Sequence, residues 1–149
     1  MQENFNDLVH YLTPLFNNLS SGEMAKLNKK VGADLRRSQQ QRISAQQNPD
    51  GSSYTARRLR DGNRIRRKMF TRLRSARYFR NFSNANAITI GFLSKVNRIA
   101  TVHQYGLRDR VENKGPSVTY AKRELLGFSE TDIQRIEKSV LHHLDVMDK

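Results

Sequence analysis

Two capping boxes frame this chain and fix where its helices can begin. Ser129-x-x-Asp132 stands directly before Ile133, Ile136, Val140, Leu144 and Met147, an apolar stripe at helical spacing. The serine hydroxyl of such a box caps the first free N–H groups while the acid reaches back to the serine's own N–H. Phe128 and Ile133 occupy the hydrophobic staple positions, so the spacing predicts a final helix that packs on a sheet.

Ser20-x-x-Glu23 repeats the signal, with Leu19 and Met24 as the staple. The stripe that follows is Met24, Leu27, Val31, Leu35 and Ile43, and Lys26, Lys30 and Arg37 fall on the wet side. This helix is expected to reach about Gln47, where Asn48-Pro49-Asp50-Gly51 sets proline and glycine at the turn positions that favour them. Upstream, Phe5, Leu8, Leu12, Leu15/Phe16 and Leu19 describe another amphipathic helix, which Pro14 must kink or restart.

Between the helices the period changes. Tyr78–Phe82 and the alternating Ile88, Ile90 and Phe92 predict a β-hairpin across Ser83–Asn86, with Phe82 in its core. Val96, Ile99, Ala100 and His103 share one helical face that Gly106 should terminate. Leu107–Ser117 is expected to be a charged loop, and Val118–Tyr120 a short strand. The class is therefore α+β: amphipathic helices packed on a small, mostly antiparallel sheet, with an extended Arg-rich arm. A single domain over residues 1–149 is expected, made of an N-terminal helical part (1–47), a turn and basic arm (48–72) and an α+β core (73–149).

Charge then separates the arm from the rest. The chain carries a formal +13, yet its first 25 residues are acidic on balance, with Glu3, Asp7 and Glu23 and no lysine or arginine. Lys26–Arg80 holds 17 of the 27 basic residues against three acids, Asp34, Asp50 and Asp61. A field of this kind attracts polyanions and acidic protein faces, although it is also what a solvated surface looks like. The runs Arg57-Arg58, Arg60, Arg64 and Arg66-Arg67-Lys68 favour contact, because guanidinium groups bind in planar, multidentate fashion. Tyr54, Phe70, Tyr78, Phe79 and Phe82 lie among these bases as conceivable stacking platforms, with core packing the better use for most of them.

Catalytic signatures are missing from the sequence. It has no nucleophile elbow, phosphate loop or paired-histidine helix, and no cysteine. His10, His103, His142 and His143 lack ligand spacing, and His103, at a helix end, suits a local carbonyl bond or the helix dipole. Neither an enzyme nor a cofactor or metal is expected. Lack of cysteine fits a reducing compartment, and no membrane partner is expected because no apolar run of spanning length is present.

The order of four segments carries further information. RISAQQNPDGSSYTARR, KMFTRLRSARYF, ITIGFLSKVNRIATVHQYGLRDRV and YAKRELLGFSETDIQRI together resemble the phage virion morphogenesis family, over about Leu8 to Leu144. Asn48, Pro49, Asp50 and Gly51 match the family's turn before the arm. His103, Gln104 and Gly106 match its central helix end, and Arg123, Leu125, Leu126 and Gly127 match its lead-in to the final helix. One departure is Leu93-Ser94, where relatives tend to have another small or basic residue.

The resemblance implies a structural protein of the virion, assembled in the host cytoplasm, that finishes the head-proximal end of a tail so that it joins a filled head. It implies a ring of copies of itself, hexameric to match the tail, against tail tube or sheath and head-completion or connector proteins. DNA in the lumen would be a second partner of the basic residues. The competing reading is a stand-alone nucleic-acid-binding protein that uses the same bases on phosphates and weakens steeply with salt.

Overall fold

The computed structural model describes residues 2–57 and 68–147; side chains are described from residue 6 on, Leu8 and Met147 excepted. The elements run α1 (Gln2–Phe16), α2 (Ser21–Ser44), β1 (Phe79–Asn81), β2 (Ile90–Phe92), α3 (Ser94–Tyr105), β3 (Arg108–Arg110), β4 (Ser117–Thr119) and α4 (Glu130–Met147). Among the described residues, four helices and two two-stranded antiparallel sheets make the fold α+β.

Both capping boxes form. The Ser20 N–H donates to Glu23 and the Glu23 N–H to Ser20 Oγ, each at 3.2 Å. Ser129 N–H donates to Asp132 at 3.1 Å and Asp132 N–H to Ser129 Oγ at 3.0 Å. Helix α1 runs through Pro14, which lies in its last turn, and ends two residues later without restarting. So near the C-terminus, proline forfeits only one of the last intrahelical bonds. Helix α2 stops at Ser44, short of Gln47, because Gln46 turns left-handed at φ 58°.

The chain's contacts separate into two compact units. The first comprises residues 1–38, 80–91 and 128–149. Its core is helical: Leu12 of α1, Leu27 and Val31 of α2, and Ile133 and Val140 of α4, flanked by Phe16, Leu19, Met24, Ile136 and Leu144. Helix α4 thus buries its stripe against α1 and α2, and not on a sheet as its pattern had suggested; an apolar stripe states that a helix needs a partner and leaves the partner open. Asp132, besides capping, accepts a bond from the buried Ser38 hydroxyl, and Asp34 accepts one from Ser139 Oγ at 2.5 Å. The tip of the hairpin docks on α2 at Gly32, where an added Cβ would lie 2.6 Å from both Asn81 Oδ1 and Ser83 Oγ. Asn81 and Asn28 complete that contact by donating to Lys29 O and Asn84 O.

The second unit comprises residues 39–79 and 92–127. Ile43, Tyr54, Leu73, Ala100 and Leu125 form its core, with Met69, Phe70, Phe92 and Val96 packed around them. Phe79 is fully buried, its ring 4.8 Å from that of Phe92. Phe82, expected inside, is 49% exposed. Side chains alternate along a strand, so burying Phe79 sends the residue an odd number of positions later to the other face. Where a charged loop was expected after α3, Arg108–Arg110 pairs with Ser117–Thr119 as a second hairpin. Its outward arginines conceal the strand from a hydrophobic pattern, since both faces of so short a ribbon stay largely wet.

Candidate functional site

The motif residues that lie far apart in sequence meet in the second unit. The turn closes first. Gly51 N–H donates to Asn48 O at 2.9 Å and Gly51 adopts φ 89°, a left-handed conformation natural to glycine. Asp50 accepts from the Ser52 hydroxyl and N–H, which hold its carboxyl below the ordinary carboxylate range. Asn48 reaches both ways: Nδ2 donates to Ser52 Oγ at 3.2 Å, and Oδ1 accepts the Glu124 N–H at 2.9 Å. Buried Pro49 sits against Gly127. The turn is therefore a seat for the lead-in to the final helix.

Helix α3 grips the same lead-in from its C-terminal end. Gln104 accepts the N–H groups of Leu125 and Leu126 at 2.8 and 3.0 Å and donates to Leu126 O at 2.7 Å. One residue serves three backbone groups that no regular ladder satisfies. Arg42 of α2 does the converse, donating to the carbonyls of Glu124 and Leu125 at 2.9 Å. Gly106 ends α3 in the left-handed region at φ 64°, ψ 50°, where a Cβ would also meet Lys122 N at 3.1 Å and Tyr120 O at 3.2 Å.

Arg123 carries this network to the basic segment. Buried itself, it donates from Nε to Thr55 O at 2.7 Å and from an Nη to Ala56 O at 3.2 Å. Its other Nη lies 3.4 Å from His103 Nδ1, and its N–H donates to His103 O at 2.8 Å. Because arginine only donates, His103 Nδ1 must accept. Burial, then the charges of Arg123 and Arg57, push the His103 pKa down to about 4, so the imidazole is neutral near pH 7. It is packed edge-on between Phe70 and Tyr120, with ring centroids 4.9 Å away on each side. A helix-dipole role, which needs the cation, is thereby replaced by neutral packing and acceptance.

On the far side, Gln46 clamps Met69 by two bonds of 2.9 Å, N–H to Oε1 and Nε2 to O, and Lys68 Nζ donates to Ser44 O. The chain thus leaves Thr55–Ala56 under Arg123 and returns at Lys68–Met69 under Gln46. Of the contact residues expected from the sequence, Arg57 and Lys68 are exposed at these two anchor points. Arg58, Arg60, Arg64, Arg66 and Arg67 lie outside the described residues. Beside the anchors opens a cavity of about 850 Å³, with Phe70, Ile99 and Val118 in its wall and His103 and Arg123 at its side.

Of the aromatic residues near the bases, Tyr54 is buried and hydrogen-bonds Glu124 O at 2.9 Å, and its burial raises the phenol pKa to about 12. Phe70 stands edge-on to it at 5.6 Å. Neither is a free stacking platform. Sequence reasoning missed the roles of Arg42, Gln39 and Gln46: Gln39 accepts from both Arg42 and Gly127 N–H while 1% exposed. For Gln39 and Arg42 the available signal was a long polar residue on the helix face that carries Ile43, since such residues go inside only with partners; Gln46, beyond the helix end, gave none.

The chain is 36% identical over 140 residues to tail completion protein S of Escherichia phage P2, covering 90% of this chain and 93% of that protein. No solved structure matches it. The model of the phage virion morphogenesis family matches residues 3–145, nearly the whole chain, and so reaches from α1 into α4; this protein belongs to that family.

Proposed function

We propose that this protein is a structural component of a phage virion that completes the tail, forming a ring of its own copies, hexameric to match the tail, at the head-proximal neck. Its basic segment, with Arg57, Arg58, Arg60, Arg64, Arg66, Arg67 and Lys68, contacts neighbouring subunits, the tail tube or sheath and the head connector, with DNA in the lumen as a second partner. The observation that carries this reading is the likeness to tail completion protein S along 90% of the chain. The double anchoring supports it further: Arg123 and Gln46 fix both ends of the basic segment to a packed unit, so its contacts would be made from a defined base.

Particles assembled without the protein test the reading. Filled heads beside unjoined or overlong tails are expected, and normal joined particles would refute it. Electron microscopy of the purified protein should show rings around a DNA-sized channel. Monomers that bind duplex tightly at low salt, with affinity falling steeply as salt rises, would instead favour a stand-alone nucleic-acid-binding protein.

A further inference from the structure

Two surfaces have no partner among the described residues and are complementary to one another. The first is the 850 Å³ cavity of the second unit. Its wall is apolar, and Ile99 and Val111 at its edge are 50% and 40% exposed. The charged residues among its described lining are all cationic: Arg57, Lys68 and Arg72, exposed at the rim, and buried Arg123 beneath them. An apolar floor with a basic rim selects an occupant that is apolar and acidic at once.

The second surface is the outward side of α1. Leu12 and Phe16 face the core, whereas Tyr11 is 57% exposed and Leu15 40%. Asp7, Tyr11 and Leu15 follow one another at four-residue spacing and therefore form a single stripe with an acid at its head. Asp7 is exposed, and no lysine or arginine occurs in the first 25 residues to neutralise it. Such a stripe is the pattern of a helix that lies in a groove.

We propose that α1 of one copy docks in the second-unit cavity of the next, with Tyr11 and Leu15 in the apolar part and Asp7 toward the arginine and lysine rim. The contact joins different surfaces of identical chains, so it propagates and can close into a ring. It deepens, and rests on, the ring assembly proposed above.

The cysteine-free sequence allows a clean test. Full-length Tyr11→Cys and Val118→Cys proteins, each with the parent's circular dichroism, are mixed and mildly oxidised. The expected result is a mixed disulfide dimer formed about tenfold more than with Lys138→Cys in place of Val118→Cys, as selective docking requires. Asp7→Lys added to the Tyr11→Cys chain should lower the yield, and Arg72→Glu added to its partner should restore it. Equal yields with the control, no response to the charge reversal, or preferred closure within one chain of a Leu59→Cys/Val118→Cys variant would overturn the contact. Micrographs of the unoxidised mixtures keep the two ideas apart: rings without the selective disulfide overturn the docking alone, and monomers without it overturn ring formation as well.

Discussion

The ring of Pro49 occupies the space that a side chain at Gly127 would need: a Cβ there would lie 2.5 Å from Pro49 Cγ and 3.2 Å from its Cβ. A proline ring cannot swing aside as a lysine can. Gly127→Ala should therefore destabilise the protein by about 1–3 kcal/mol, the usual cost of overpacking, lowering Tm by several degrees. Gly51 offers the contrast, because space around it is open and only its φ of 89° resists a side chain. Gly51→Ala should cost about 1 kcal/mol, read from denaturant midpoints on the same preparation.

Gln104→Leu keeps the approximate volume and strands three backbone groups of Leu125 and Leu126. Unsatisfied buried groups cost about 1–3 kcal/mol each, although some will find water, so a loss of about 2–4 kcal/mol is expected. Gln104→Glu retains the acceptor and should recover part of it. Hydrogen exchange at the Leu125 and Leu126 amides would locate the effect.

His103 predicts a pH dependence. Its folded pKa of about 4 lies below the ordinary 6.5, so the unfolded chain binds the proton first as pH falls. The contribution is complete above pH 6.5, declines between 6.5 and 4, and is lost below that. With screening at this part-exposed ring, about 1–2 kcal/mol should disappear across that window. His103→Gln should remove this part of the profile in urea melts at several pH values.

Ser129→Ala removes the cap that accepts the Asp132 N–H at 3.0 Å and should cost about 1 kcal/mol. Asp132→Asn should cost more, because that carboxylate also accepts from buried Ser38. Thermal melts of both variants and the double mutant would show coupling, since the two residues share one network.

The contact role proposed for Arg58, Arg60, Arg64, Arg66 and Arg67 predicts that replacing them together by glutamine leaves the melting midpoint within a few degrees of the parent's. Joining of tails to filled heads should nevertheless fail in a complementation assay. Unfolding of this variant would instead assign the arginines to the fold.

Local chemistry was legible from residue order alone. Ser20, Glu23, Ser129 and Asp132 announced helix starts, Asn48–Gly51 a turn, and Gly106 a helix end, because each acts on backbone groups within a few positions. The same holds for the basic segment, since clustering of like charge is a property of sequence. Tertiary structure alone decided which surfaces meet. Helix α4 chose α1 and α2, Phe79 went inside while Phe82 stayed out, and a ribbon of outward arginines paired as a hairpin. It also brought Pro49 to Gly127, Gln104 to Leu126 and Arg123 to Thr55, contacts across 22 to 78 positions of sequence. Apolar patterning is degenerate about partners, and a polar side chain carries no mark of the distant carbonyl it will bind. Only the packed units select those pairs, by excluding water from every group left without one.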